Sequence, residues 1–160
     1  MIIRAMGLEP EGLAVDTPLE IEPLTSDADE PILAEAVVLR GLVTPKRQGL
    51  AFRGRITGRI VIPCARCLTS FRMAVDRAFD LFFVFTWMGE KEVQIPDDAL
   101  DYAFIGAEGG IDLKQVATEQ IYLELPMKPL CQPACRGLCP RCGGNLNAGE
   151  CACEGLSPLS

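Results

Sequence analysis

The chain has 160 residues, 49% hydrophobic and 23% charged, which suits one core of ordinary domain size and excludes a wholly disordered protein. Its 15 basic and 22 acidic residues give a formal charge of -7, so there is no general attraction for nucleic acid or anionic lipid, and any such contact must be local. The absence of histidine excludes imidazole acid–base chemistry, His-based triads and imidazole metal sites, leaving sulfur or oxygen as metal ligands.

The total charge hides a strong partition. Residues 1–39 carry nine acids and one base, residues 40–77 nine bases and one acid, and residues 78–160 twelve acids and five bases. The first thirty-one residues hold Pro10, Pro18, Pro23 and Pro31 among scattered acids, predicting short strands and loops draped on a sheet. Ile32 to Val43 is rich in Ala, Val and Leu, and Thr44 to Gly49 supplies turn chemistry, which reads as the first half of a hairpin. From Ala51 to Ile62, Arg53, Arg55, Thr57 and Arg59 alternate with Phe52, Ile56, Ile60 and Ile62, the period of a half-buried strand. A third run, Phe71 to Trp87, puts aromatic and aliphatic residues on one parity and Arg72, Asp76 and Asp80 on the other, with Arg77 the exception on the apolar side. Its length predicts a bulge or bend. Residues 88–110 are acidic and end in glycines, and read as a loop. Asp112 and Gln115 have the form of a capping box before Leu113, Val116, Ala117, Ile121 and Leu125, predicting a helix over about 112–125 that Pro126 ends.

The expected fold class is therefore α+β: a curved antiparallel sheet with one packed helix in residues 1–126, and a Cys-rich metal-binding tail in 127–160 clipped to it. The tail holds six of the eight cysteines, four prolines and five glycines but few large apolar residues, so burial alone cannot organise it. No apolar run approaches the roughly 20 residues that span a bilayer, and Glu9 and Glu11 interrupt any signal-length apolar stretch. The expectation is a cytoplasmic protein without membrane contact, in which eight thiols point to metal rather than to four disulfides.

The sulfurs are Cys64 and Cys67, then Cys131, Cys135, Cys139 and Cys142, then Cys151 and Cys153. Two thiolates two residues apart on a tight turn chelate one tetrahedral Zn(II), and eight suffice for two structural four-cysteine sites. One partition joins Cys139, Cys142, Cys151 and Cys153 locally, with Gly143 permitting the positive dihedral that closes the turn, and joins Cys64 and Cys67 to Cys131 and Cys135. The other interleaves Cys64 and Cys67 with Cys139 and Cys142, as in zinc ribbons, and the spacing does not choose. A reactive redox pair and an iron–sulfur cluster are the competing chemistries.

Arg53, Arg55 and Arg59 would project from one strand face, roughly 6 to 7 Å apart, and such a row can follow a nucleic-acid backbone. Arg66 and Arg72 extend the candidate site. A solvated arginine face, or ion pairing with the acidic amino-terminal segment, explains the same pattern without a ligand.

Several ordered blocks together resemble the YceD family of bacterial and plastid proteins. They are Gly54-Arg55-Ile56-Thr57-Gly58, Pro63-Cys64-Ala65-Arg66-Cys67-Leu68, Ile111-Asp112-Leu113, Leu123-Glu124-Leu125-Pro126 and Pro129-Leu130-Cys131. Cys135-Arg136-Gly137-Leu138-Cys139-Pro140, Arg141-Cys142-Gly143, Asn145-Leu146-Asn147 and Cys151-Ala152-Cys153 complete the set, across roughly residues 50 to 155. The resemblance implies a non-enzymatic ribosome-biogenesis factor promoting accumulation of large-subunit (23S) ribosomal RNA by direct binding, with no small-molecule substrate. The competing expectation is a protein-interaction module that meets basic ribosomal proteins at the pre-ribosomal particle.

Overall fold

The computed structural model describes residues 1–4, 7–24, 32–47, 49–85, 101–105, 109–149, 151 and 153. In chain order the elements are β1 (Ile2–Arg4), β2 (Leu13–Leu19), β3 (Leu33–Lys46), β4 (Gly49–Pro63), β5 (Ser70–Phe85), β6 (Asp101–Ile105), β7 (Gly110–Asp112) and α1 (Leu113–Glu124). Among the described residues, β2-β3-β4-β5-β6 form one open sheet, while β1 pairs with β7 in a separate two-stranded ribbon. A mostly-sheet architecture with, among the described residues, one packed helix matches expectation. The wholly antiparallel sheet does not, because β6 pairs with β5 in parallel.

The long hairpin β4–β5 shows why these residues choose strands. Across its register Phe52 faces Leu81, Ile60 faces Met73 and Arg53 faces Asp80, so every second residue on both strands lies on the same side. Leu50, Phe52, Ile56, Ile60 and Ile62 are buried, while Arg53, Arg55 and Arg59 are exposed. Each such buried aliphatic or aromatic side chain contributes about 2 kcal/mol relative to exposure. Opposite Phe79, Gly54 has no side chain, and a Cβ there would lie 2.6 Å from the Phe79 ring. The bare backbone admits that ring, which meets Phe52 edge-on at 5.1 Å.

Two expectations about irregularity are corrected. The long run that suggested an internal bulge is β5, and its register with β4 runs without a shift from Ser70 to Val84. The described bulge sits in β3, where Ala36 (φ 50) and Val37 together oppose Gly58. It reverses the parity of the strand. Glu35 is thereby placed on the arginine side, while Val37, Leu39 and Val43 turn into the core. In the amino-terminal segment the expected short strands are present as β1 and β2, but β2 is the paired edge of the main sheet and not draped on it, with Pro18 tolerated because an edge strand leaves one row of amides unpaired.

The predicted loop over 88–110 is corrected in part. Asp101–Ile105 is strand β6 and Gly110 opens β7, while residues 88–100 and 106–108, with Trp87 of the preceding run, lie outside the described residues.

Helix α1 covers the apolar side, packing against β4, β5 and β7 and burying Leu113, Val116, Ala117 and Ile121. Asp112 caps it by accepting from the Lys114 amide at 2.9 Å. The reciprocal half of the capping box is absent, since the Gln115 side chain bonds Glu119 instead. Leu125 is extended before Pro126, as that proline demands. The helix also explains Arg77, the cation on the apolar parity. Its Nε donates to Gln120 Oε1 at 3.0 Å and its guanidinium lies 3.6 Å from Glu124, so both partners come from α1. No helix of the described residues is long and apolar enough to cross a membrane.

Candidate metal centres and the basic sheet face

The β4–β5 hairpin ends in a turn built around two thiols. Cys64 N donates to Thr69 O and Leu68 N to Cys64 O, with Leu68 in the left-handed region (φ 58), so Cys64 and Cys67 converge on one side. The chain after α1 returns to that turn. Ala65 N donates to Pro129 O at 2.8 Å, and Cys131 and Cys135 close over the first pair. Cys64 Sγ is 3.7 Å from Cys135 Sγ and Cys67 Sγ is 3.6 Å from Cys131 Sγ. Cys64, Cys67 and Cys135 are buried, against Phe71, Leu130 and Leu138.

A second quartet is local to the tail. Gly143, at φ 70, lets its amide donate to Cys139 O, while Cys139 N donates to Gly144 O, and this tight turn presents Cys139 and Cys142 to Cys151 and Cys153. Cys139 and Cys151 sulfurs lie 3.4 Å apart. The structure thus gathers Cys64, Cys67, Cys131 and Cys135 in one place and Cys139, Cys142, Cys151 and Cys153 in another, with all Sγ atoms of a group within 4.8 Å of one another. It does not bring Cys64 and Cys67 together with Cys139 and Cys142.

A tetrahedral ion with sulfur ligands at about 2.3 Å requires sulfurs about 3.8 Å apart, so both donor sets and spacings fit a closed tetrathiolate site. The electrostatics agree with thiols gathered around a shared centre. Burial pushes the Cys64 thiol up, but the amides of Cys131, Arg66 and Cys67 outweigh it and bring it down to about 6. Burial and the neighbouring Cys67, Cys135 and Cys64 push Cys131 up to about 12. The second quartet repeats the split. Backbone amides of Cys142 and Arg141 bring Cys139 down to about 6, whereas Cys142 and burial push Cys153 up to about 12. Four thiolates this close repel one another unless a cation sits among them.

Two asparagines of the tail were not singled out as functional from the sequence. Asn147 accepts from Arg136 N at 2.8 Å and donates to Cys135 Sγ at 3.4 Å, while Asn145 donates to Thr69 Oγ1 at 3.0 Å. They tie the first thiol turn to the segment between the quartets, orienting the ligands from behind. Their sequence signal was the Asn145-Leu146-Asn147 block between cysteine pairs.

The arginine row lies on the open face of the sheet, away from α1. Arg53 Nε is 2.6 Å from Asp80, Arg55 makes a two-pronged contact with Asp76, and Arg72 Nε is 3.1 Å from Glu35. Arg55 and Arg72 hydrogen-bond the Asp76 and Glu35 carboxyls and hold them below their ordinary range, Arg59 adding its field at Glu35. Arg40 pairs with Asp16 across β2–β3. Pairing with the acidic amino-terminal segment therefore accounts for Arg40 and Arg72, and the acids of β5 for Arg53 and Arg55. Arg66 is elsewhere, in the first thiol turn, where its guanidinium donates to Cys135 O at 3.0 Å. At the far edge of the sheet, β6 carries the exposed ring pair Tyr102 and Phe104, which the loop reading had passed over.

Among the described residues, an open sheet with one covering helix and a tail whose cysteines meet those of its longest hairpin define a small, mostly-sheet protein with two cysteine quartets. A family model described as large ribosomal RNA subunit accumulation protein YceD matches residues 52–158, which include all eight cysteines, and the chain belongs to this family. An uncharacterised protein of Mycobacterium tuberculosis is 35% identical over 102 residues, 60% of this chain and 44% of that one. The chloroplastic large ribosomal RNA subunit accumulation protein YCED homolog 1 of Zea mays is 41% identical over 69 residues, 39% of this chain and 23% of that protein. Its namesake from Arabidopsis thaliana is 27% identical over 145 residues, 73% and 45% of the two chains. The chain spans less than half the length of each of these relatives. No solved structure matches it.

Proposed function

We propose that this protein is a non-catalytic factor that binds large-subunit ribosomal RNA directly and promotes its accumulation, with one structural Zn(II) in each cysteine quartet. Zinc there would be fully coordinated by thiolates, leaving no open position for substrate and giving the metal a folding role. The observation that carries the RNA reading is that Arg53, Arg55, Arg59, Arg66 and Arg72 all remain exposed in a chain whose family is described by ribosomal RNA accumulation. An exposed ion pair contributes little, so such arginines can exchange a carboxylate for a phosphate. The absence of histidine and the commitment of all eight thiols to the quartets support a role without catalysis.

The test is titration of the purified, zinc-replete protein with deproteinised large-subunit ribosomal RNA at several salt concentrations. Saturable binding that weakens steeply with salt is the expected result. The ion pairing of the sheet face favours a second reading, a protein-interaction module at the pre-ribosomal particle. It predicts no binding to bare RNA and co-purification with ribosomal proteins that survives nuclease.

A further inference from the structure

Resting on the reading of direct RNA binding, we infer that the exposed rings of Tyr102 and Phe104 are a stacking platform for unpaired bases, so that the RNA held at the sheet face is single-stranded. The register puts the rings on the arginine side. Ala51, Phe82 and Tyr102 form one row across β4, β5 and β6, and Gly49, Val84 and Phe104 form the next. Arg53 and Asp80 make the adjoining row of the same face on β4 and β5. With strands about 4.8 Å apart and same-face positions about 6 to 7 Å apart along a strand, the Arg53 and Tyr102 backbones lie roughly 12 Å from each other. A few extended nucleotides cover that distance, with phosphates at the arginines and bases over the rings.

Burial and ring geometry single these two residues out. Tyr102 is 52% and Phe104 60% exposed, on a strand that is the sheet edge among the described residues. Phe82 and Val84 beside them are buried and stand apart from the main apolar cluster, so the open face passes from charged to apolar at this corner. The rings meet edge-on, with 5.8 Å between centroids and 80° between planes, which leaves a broad face of each uncovered by the other. Held on a strand, they lose little freedom on binding. Stacking also supplements the electrostatics of this face. Its arginines share it with Asp16, Glu35, Asp76 and Asp80, so exchanging carboxylate for phosphate gives only a modest attraction. A base on a neutral ring adds affinity without releasing counterions. Bases inside a duplex stack on one another and offer the rings no face, which makes unpaired RNA the ligand.

The experiment compares the full-length, zinc-loaded protein with the variants Y102L/F104L and Y102W/F104W. Affinity for deproteinised large-subunit ribosomal RNA is measured across a salt series, with single-stranded oligoadenylate and its duplex with oligouridylate as competitors. Leucine keeps an apolar side chain but removes the flat π-face. Y102L/F104L is therefore expected to bind about tenfold or more weakly, with an unchanged slope of log affinity against log salt, and tryptophan at both positions to bind as the unmodified protein does. On the unmodified protein the single strand should compete better than the duplex, a comparison that stands whether or not the leucine variant folds. Unchanged affinity in Y102L/F104L, or equal competition by the two oligonucleotides, overturns the platform and leaves RNA binding itself standing. A dimer of the unmodified protein that Y102L/F104L converts to a monomer also overturns it, by assigning the rings to a second copy of the chain. Absence of RNA binding by the unmodified protein removes the proposed function and the platform with it.

Discussion

Replacing Cys131 and Cys135 by serine removes half of the quartet that joins the tail to the Cys64–Cys67 turn while conserving side-chain volume. The consequence follows from chain length. Cys67 and Cys131 are 64 residues apart, so a metal bridging them cross-links a long segment of the unfolded chain, and the entropy of closing such a loop is worth about 4 kcal/mol by the relation used for disulfides. Cys139 and Cys151 are 12 residues apart within the tail, and the same relation gives about 3 kcal/mol, felt by the tail alone. The double variant C131S/C135S should therefore lose one zinc by native mass spectrometry and lower the thermal midpoint of the main sheet by about 8 to 16 °C. The variant C142S/C153S should also lose one zinc but leave the sheet transition, followed by far-ultraviolet circular dichroism, almost unmoved. Equal shifts in the two variants, or no shift in the first despite the lost ion, would refute the long-loop clip.

Gln120 is buried and receives the Arg77 guanidinium, so Q120A should cost about 1 to 2 kcal/mol in urea denaturation, whereas Q120E should retain most of the stability at neutral pH. Gly54→Val puts a branched side chain where the Phe79 ring lies, and a loss of about 1 to 3 kcal/mol is expected, read as a shift of the denaturation midpoint without a change in zinc content. If the sheet face contacts phosphate, D76N/D80N frees Arg55 and Arg53 from their carboxylates and should raise affinity for large-subunit ribosomal RNA several-fold at moderate salt; unchanged affinity would count against that face.

The β4 and β5 strands were readable because a period of two is unambiguous when one face is buried and the other charged, and α1 because Asp112 and Pro126 bracket a helical repeat. What escaped was tertiary in origin. Nothing local marks Ala36 as left-handed, since the bulge is imposed by pairing against Gly58, where two β3 residues must share one partner. Strand β6 is five residues long, and its parallel pairing with β5 has no local turn signal of the kind that announces a hairpin. The cysteine types and spacings showed that quartets were feasible but left two partitions open. The return of Pro129 to the Ala65 amide, which depends on where the helix delivers the chain, decides which sulfurs meet.

The arginine row, which in sequence resembled a ligand site, has a structural use in the hairpin. Arg53 faces Asp80 across β4–β5, and a slip of one residue would set it against Phe79 or Leu81 while turning Ile56 and Ile60 to water. Opposite charges on the open face thus penalise the wrong register, and the parity reversal at Ala36 brings Glu35 to Arg72 to extend that arrangement onto β3. The pairing does not exhaust the row, since Arg40, Arg53, Arg55, Arg59 and Arg72 share the face with Asp16, Glu35, Asp76 and Asp80 and all five arginines stay exposed. The charges that fix the register of the hairpin thus stay at its surface, where an exchange of carboxylate for phosphate would leave the buried apolar face undisturbed.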